Sequence, residues 1–557
     1  MNLTRSFLLA VALPFASICA GTPEPVQFDS FSYTGRDPLY DTPLSPGHFR
    51  NPIFAGFYPD PDICRAGDDY YLVNSSFACF PGIPVSHSRD LVNWTQVGSV
   101  VSRPGQLNYD GLGISRGIFA PALSHHGDTW YLVCTFVDAG GNFVMTAKDP
   151  AGPWSDPNWL GFDGIDASLF FDDDGRSWIV NNGEPPGGKA LYQGHRAIWL
   201  QEFDAKALKA VGPRTIIVNG GSDISRHPVW VEGPHLLKKD GWYYLICAEG
   251  GTSEDHSEVV FRSRAILGPF VPNPTNPILT QRNLPSSRRN PVTSTGHADL
   301  VEAPNGSWWA VFLGCQPYEG DYYDTGRETF MLPAKWVDGW PVILDSGLAV
   351  PLEVSSLAGV NPVRSKDTPL SGNFTWSDDF TKPSLGTPWV MLRSPHETWW
   401  KTGEASHLLL EPRTVALSGN GNPSFLGRRL QHAHFDAETT LHVPSTNGVA
   451  AGLAIFQNEQ HYFRLGVVRI SDTRAIIYVE QMTGDDSGYQ MPLAGDFGTP
   501  MGFRISGDGA SLSFFYSRKP GEWIKLGPDR DAKVLSTKVA GGFVGTLVGP
   551  FADVEPQ

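Results

Sequence analysis

The sequence predicts an all-β protein made of a five-bladed β-propeller followed by a C-terminal β-sandwich. Three observations support this fold class. A short strand–turn–strand pattern recurs five times in the first 350 residues. The 557 residues include 60 Gly and 46 Pro, and no segment keeps a helical period. Beyond residue 351 the repeat stops, and short alternating strand candidates follow.

Each copy of the repeat joins a turn rich in Asp, Asn or Gly to one or two aromatic residues and an apolar run. The five copies occupy residues 67–73, 127–133, 174–180, 240–246 and 305–311. The pattern is typical of a β-hairpin, and repeats spaced by roughly 40 to 65 residues are typical of propeller blades. The aromatic residues are expected to pack between neighbouring blades. Five blades would close a ring with only short sheet edges.

The domain boundaries follow from changes in composition along the chain. Arg5 and a short apolar stretch give the first residues the pattern of a secretory signal, so the protein is expected to be secreted or periplasmic. The predicted segments are a signal at 1–20, an extended leader at 21–47, the propeller at 48–355, a linker at 356–371 and the sandwich at 372–557.

The net charge of −16 argues against nucleic acid and against an anionic membrane as partners. A neutral, polyhydroxylated substrate suits an acidic chain with 17 Trp and 17 Tyr better. Five cysteines follow the signal, and their odd number leaves at least one thiol free. Buried strand positions account for Cys134 and Cys247. The oligomeric state is left open.

A polar residue precedes four of the five repeats at a nearly fixed distance. Asp60, Ala120, Asp166, Glu232 and His297 stand eleven or twelve residues before the last aromatic of their copies. Equivalent positions of a repeat occupy equivalent places in the fold. These five positions are therefore expected to form one ring at a mouth of the central channel.

Three carboxylates in one funnel repel one another, and a dry site makes their ionisation costly. Taken singly, each has a structural explanation, since Asp60 precedes a proline and Glu232 could be a loop charge. Because all three stand at equivalent positions of the repeat, together they indicate glycoside hydrolysis, which uses one carboxylic acid and one carboxylate. Asp62 does not stand at the position that the five copies share, and it is interpreted as a turn residue. His297 could bind substrate, a water or a cation at the channel centre.

The same residues give the chain its resemblance to glycoside hydrolase family 43, in the branch of β-xylosidases and α-L-arabinofuranosidases. The similar stretches run from about residue 48 to the C-terminus. They include 51–61, 165–168, 232–235, 296–299, 326–329, 338–341, 374–380 and 389–393. Asp62 departs from the family pattern, because many relatives have Ser there.

The resemblance implies an inverting mechanism with three carboxyl roles. Asp60 would be the general base, Glu232 the general acid, and Asp166 the residue that tunes the pKa of the acid and orients it. The resemblance also implies substrate contacts from Phe77, Phe80 and Arg327, with His297 as a further candidate from the ring. We expect no required cofactor. Ca²⁺ or another divalent cation could bind in the central channel, near His297.

The sequence therefore predicts a secreted exo-glycosidase that releases xylose or arabinose from xylo-oligosaccharides or arabinoxylan. β-Xylosidase is the favoured activity. α-L-Arabinofuranosidase, or both activities in one pocket, is the alternative, because the two sugars place their hydroxyls similarly. A non-catalytic carbohydrate-binding propeller is less favoured, since it would lack one of the three acids.

Overall fold

The computed structural model describes residues 23–363, 365, 368–403, 406–483, 488–495 and 497–555. Strands dominate these residues, which confirms the all-β prediction. The predicted signal at 1–20 lies outside them. The helical turns found in the described ranges are Pro38–Tyr40, Pro186–Gly188, Ile224–Arg226, Ala532–Leu535 and Thr537–Ala540. None of these is long and apolar enough to cross a membrane.

Within the described residues, positions 62–342 form five antiparallel sheets, numbered 1 to 5 in chain order. Sheet 1 comprises Asp62–Ala66, Asp69–Val73, Gly82–Ser88 and Thr95–Val101. Sheet 2 comprises Gly117–His126, Thr129–Val137, Gly141–Ala147 and Asn158–Trp159. Sheet 3 comprises Ile165–Phe171, Ser177–Gly183, Ala197–Asp204 and Lys209–Asn219. Sheet 4 comprises Glu232–Lys239, Trp242–Glu249, Ser257–Ser263, Val271–Pro272 and Leu279–Thr280. Sheet 5 comprises Thr293–Glu302, Trp308–Cys315, Glu328–Val337 and Trp340–Val342.

The five sheets are arranged in a closed ring. The first strand of each sheet contacts the first strand of the next, and that of sheet 5 contacts that of sheet 1. Tyr71 of sheet 1 meets Trp130 of sheet 2 with ring centroids 4.7 Å apart. Tyr131 of sheet 2 meets Phe171 of sheet 3 at 5.2 Å. The prediction that the repeat aromatics pack between neighbouring sheets is confirmed at these interfaces.

Two larger sheets pack face to face beyond the ring. Sheet 6 comprises Val26–Gly35, Phe374–Asp378, Trp400–Lys401, Leu408–Leu410, His434–Leu441, Met501–Asp508, Ser511–Ser517, Ile524–Lys525 and Arg530–Asp531. Sheet 7 comprises Arg428–Arg429, Val449–Asn458, His461–Ser471, Arg474–Met482, Tyr489–Ala494 and Leu547–Val554.

The N-terminal segment differs from the expected extended leader at 21–47. Val26–Gly35 is a strand inside sheet 6, hydrogen-bonded to Phe374–Asp378, Leu408–Leu410 and His434–Leu441. Its buried apolar side chains alternate with partly exposed positions on either side of a register shift at Phe28–Ser30; they are those of Val26, Phe28, Phe31 and Tyr33. A strand with apolar side chains on one face belongs in a sheet that packs this face against an apolar core. Sheets 6 and 7 form that core.

The C-terminal sheets are fixed to the ring by backbone and side-chain contacts. Cys79–Phe80, which follows the second strand of sheet 1, pairs with Met391–Leu392 of the C-terminal part. The Nε of Arg429 donates to the carbonyl of Phe57 at 2.7 Å. Residues from the ring and from sheets 6 and 7 share one apolar core, so the two parts of the chain pack as one body.

Candidate active site

A cavity of about 430 Å³ lies where the first strands of sheets 1 to 5 approach one another. It brings together six predicted site residues, which are Asp60, Phe77, Asp166, Glu232, His297 and Arg327. Ala120, the apolar member of the predicted ring, also lines it. The acidic side chains are at least nine-tenths buried.

The backbone at the ring positions is unusual. Asp60, Asp166 and His297 have φ values of 48°, 56° and 54°, in the left-handed region that side chains rarely adopt. Register shifts interrupt the first strands of sheets 2 to 5 at these positions. Bulges of this kind re-aim side chains, and backbone strain of this kind is concentrated at functional sites.

Gly233 allows the close approach of two sheets beside Glu232. Its φ is 55°, and a Cβ at this position would lie 2.9 Å from the ring of His297. The amide of Gly233 donates to Oδ2 of Asp166 at 3.1 Å. Asp166 therefore holds the backbone next to Glu232, which is the geometry that an orienting residue needs.

Asp60 is paired with Arg327 in the interior of the cavity. Nη1 of Arg327 donates to Oδ1 of Asp60 at 2.9 Å, and both side chains are less than 10% exposed. Burial raises the pKa of Asp60, but the positive charges of Arg327 and His297 outweigh it and hold that pKa below its ordinary value. Asp60 is therefore ionised and able to accept a proton.

Glu232 has the opposite electrostatic environment. Burial and the neighbouring charges of Asp166 and Asp60 raise the pKa of Glu232 to about 8, against the lowering effects of His297 and Arg327. Glu232 is therefore protonated at neutral pH. Two carboxyl groups with pKa values driven apart in one cavity are the usual sign of a base and an acid.

His297 lies beside Asp166, with Nε2 3.8 Å from Oδ2. Burial lowers the pKa of His297, but Asp166 and the charges of Asp60 and Glu232 outweigh it and raise the pKa to about 10. The positive charge of His297 lies among the carboxylates and helps to hold them together.

A second group of polar residues lies one layer below the ring. Asp62 is a buried strand residue whose carboxylate accepts the amide of Leu123 at 2.7 Å, so its interpretation as a turn residue is wrong. The donor atoms of Asp62, His235 and Asp299 lie within 4.8 Å of one another. Burial and the charge of Asp299 raise the pKa of Asp62 well above its ordinary value. Two carboxylate oxygens and one imidazole nitrogen form a donor set that a divalent cation accepts.

Phe80 is the predicted site residue that the structure does not bring to the cavity. Its strand pairs with Met391–Leu392, and its side chain is buried in the shared core. Phe77 and Phe80 are three residues apart, and Phe77 has a φ of 47° that turns the chain between them. The ring of Phe77 therefore lines the cavity and the ring of Phe80 does not, although the two residues are close in the sequence.

Several lining residues were missed by the sequence analysis because they lie off the repeat register. Among them are Arg116, Phe119, Arg196, Trp230 and Phe543. Phe543 comes from the C-terminal part of the chain. Its ring stacks on Phe77 with centroids 6.0 Å apart and meets Phe119 at 5.6 Å. The guanidinium of Arg327 lies 5.6 Å from the Phe543 ring, so the C-terminal part of the chain helps to close the cavity.

The arrangement defines an acid–base hydrolase of glycosidic bonds. An ionised carboxylate and a protonated carboxylic acid line one cavity, and a third carboxylate accepts a hydrogen bond from the amide next to the acid.

Comparisons with known proteins give the family. The profile of glycosyl hydrolases family 43 matches residues 49–341, and that of the beta xylosidase C-terminal concanavalin A-like domain matches residues 377–555. The chain therefore belongs to glycosyl hydrolases family 43, which confirms the resemblance drawn from its motifs.

Individual relatives are similar over nearly the whole chain. A protein named xylosidase/arabinosidase from Butyrivibrio fibrisolvens is 40% identical, covering 90% of this chain and 95% of its own length. A non-reducing end alpha-L-arabinofuranosidase from Bacteroides ovatus is 33% identical, covering 91% and 92%. A GH43_12 crystal structure from a capybara gut metagenome is 42% identical with a TM-score of 0.89, covering 96% and 100%.

Proposed function

We propose that the five sheets are the blades of a five-bladed propeller and that sheets 6 and 7 form a β-sandwich beside it. The closed ring of first strands and the aromatic contacts between successive sheets support the propeller. The face-to-face packing of sheets 6 and 7 supports the sandwich. In this arrangement the cavity is the mouth of the central channel.

We propose that the protein is an inverting exo-glycosidase that releases xylose or arabinose from xylan or arabinoxylan fragments. The observation that carries this proposal is the pairing of an ionised Asp60, held by Arg327, with a Glu232 whose pKa is about 8. A binding module has no need to hold one carboxyl group ionised and another protonated in the same cavity.

In the proposed reaction, Asp60 removes a proton from a water molecule as the water oxygen attacks the anomeric carbon. Glu232 gives its proton to the glycosidic oxygen as the bond to the leaving sugar breaks. The product has the opposite anomeric configuration. Asp166 acts as a positioning residue through the amide of Gly233. Arg327 holds Asp60, and we expect it to contact sugar hydroxyls as well.

β-Xylosidase is the activity we place first, and α-L-arabinofuranosidase is the alternative. The name xylosidase/arabinosidase carried by the Butyrivibrio relative supports one pocket for both sugars. The arabinofuranosidase name of the Bacteroides relative supports the alternative. Phe543 closes one wall of the cavity, which favours release of single terminal sugars over internal cleavage of a polymer.

The test compares hydrolysis of nitrophenyl β-xyloside with that of nitrophenyl α-arabinofuranoside, with arabinoxylan oligosaccharides alongside. NMR of the first product formed reports its anomeric configuration. We expect single pentoses with inverted configuration. Retention of configuration, or the release of long oligosaccharides, would overturn the proposal.

The remaining predictions concern localisation, partners and cations. We propose that the chain is secreted or periplasmic, on the pattern of residues 1–20, and that it binds neither nucleic acid nor membrane, on its charge of −16. We propose that hydrolysis requires no cofactor. Asp62, His235 and Asp299 are the residues that would hold a divalent cation in the channel. Such a cation would offset the repulsion between the two carboxylates, and no step of the reaction passes through it.

A further inference from the structure

Trp230 is an exposed aromatic residue at the edge of the cavity. Its side chain lines the cavity, and the residue is 37% exposed. It stands two residues before Glu232, so the two Cα atoms are at most about 7 Å apart. Single exposed aromatics are common on protein surfaces. This one differs because it lines the same cavity as the acid.

The neighbouring residues fix the position of Trp230. Its amide donates to the carbonyl of Gly194 at 2.8 Å. The guanidinium of Arg196 lies 4.5 Å from the centroid of the indole. Arg196 is itself held by Asn182, to which its Nε donates at 3.0 Å, and by an ion pair with Glu184. A cation over an aromatic face stabilises the position of both groups, so the indole is held in place before a ligand arrives.

The other aromatic residues of the cavity lie on the side of the base. Phe77, Phe119 and Phe543 contact one another, and Arg327, the partner of Asp60, lies over Phe77 and Phe543. Arg196 instead directly precedes the strand Ala197–Asp204 of sheet 3, and Trp230 lies in the segment that leads into sheet 4. The first strands of these two sheets carry Asp166 and Glu232. The cavity therefore has one aromatic wall beside the base and another beside the acid.

The chemistry of inversion distinguishes these two walls. Water attacks the anomeric carbon from one face while the leaving oxygen departs from the other. The base must therefore adjoin the sugar that is released, and the acid must adjoin the oxygen that joins it to the next sugar. An aromatic surface beside the acid faces the leaving group.

We propose that Trp230, supported by Arg196, is the surface on which the leaving-group sugar stacks, and that it sets the preference for that sugar. The ligand is a pyranose ring whose C–H face packs on the indole, as in the next xylose unit of a xylan fragment. This inference rests on the glycosidase function proposed above. Binding energy from this remote sugar would be used to align the bond with Glu232.

The experiment uses the full-length protein and two kinds of substrate. Xylobiose and arabinoxylan oligosaccharides have a sugar as the leaving group. The leaving group of a glycosyl fluoride is a fluoride ion, which cannot stack on an indole. Trp230→Ala should lower kcat/KM on the oligosaccharides about tenfold and change turnover of the fluoride less than about threefold. Trp230→Phe keeps a flat ring and should recover most of the loss. Arg196→Met should give a smaller loss that is also confined to the oligosaccharides.

Trp159→Ala is the matched control, because Trp159 is 46% exposed and belongs to a strand edge of sheet 2 away from the cavity lining. It should leave both substrates unchanged. Equal losses on oligosaccharide and fluoride by Trp230→Ala, or no loss on either, would overturn the proposal. Failure of the unaltered protein to turn over any pentosyl fluoride would instead refute the glycosidase function itself.

Discussion

Replacement of Asp166 by Asn tests the electrostatic control of the acid. The carboxylate of Asp166 is one of the causes that raise the pKa of Glu232 to about 8. The amide side chain of Asn keeps nearly the same shape and can still accept the hydrogen bond from Gly233, but it carries no charge. We therefore expect Glu232 to lose its proton at lower pH in the variant, so that the alkaline limb of kcat/KM moves to lower pH.

The size of the shift follows from the charges around Glu232. Two unit charges on the order of 6 Å apart interact by roughly 3 kcal/mol at an effective dielectric constant of about 20. That energy corresponds to about 2 pKa units. Asp166 also helps to raise the pKa of His297 to about 10, so its removal weakens a positive charge that lowers the pKa of Glu232. The two effects oppose each other, and we expect a net shift of about one pH unit.

The assay is the pH dependence of kcat/KM on a pentoside with a poor leaving group, from pH 4 to 10 in steps of about half a unit, an interval chosen to include both limbs. Asp173→Asn is the control, because Asp173 is an exposed carboxylate that pairs with Lys238 outside the cavity. The control should leave the alkaline limb in place. An alkaline limb that stays or rises in Asp166→Asn would show that Asp166 does not tune Glu232.

Four other perturbations have expected outcomes. Glu232→Gln should reduce hydrolysis of substrates with poor leaving groups at least 100-fold more than that of activated aryl glycosides, and equal losses would exclude it as the acid. Arg327→Met should move the acidic limb of kcat/KM up by one to two pH units, roughly, because Asp60 loses the cation that lowers its pKa; an unmoved limb would contradict the ion pair. Phe543→Ala should lower kcat/KM about tenfold with little change in Tm, and full activity would show that the C-terminal part does not complete the pocket. Removal of divalent cations by EDTA should leave the rate within about twofold, and a complete loss restored by Ca²⁺ would contradict a metal-free reaction.

The ring of functional residues could be predicted because it follows the repeat. Asp60, Asp166, Glu232 and His297 stand at equivalent positions, and four of the first strands carry a bulge near that register. Residues at equivalent positions of a repeat can be placed in their sheets even when the conformations of the connecting loops are unknown. The same reasoning gave the aromatic contacts between neighbouring sheets.

The missed residues belong to segments that the repeat does not control. Trp230 precedes a strand in a segment of its own, and Phe543 comes from another part of the chain, more than 200 residues after Arg327. Phe80 was misplaced because the conformation of Phe77 could not be read from its residue type. The strand Val26–Gly35 did leave a signal, since its apolar residues alternate, but its partners lie some 340 to 410 residues away, in sheet 6.

The position of Val26–Gly35 has a consequence for how the protein is made. This strand is synthesised before its partners in sheet 6, and His434–Leu441 follows some 400 residues later. At about 5 to 20 residues per second, the strand waits roughly 20 to 80 seconds for its neighbour. Val26–Gly35 therefore cannot take its place in sheet 6 until His434–Leu441 has been synthesised. A transplant of residues 372–557 into another enzyme would leave a gap in sheet 6, and residues 26–35 would have to travel with it.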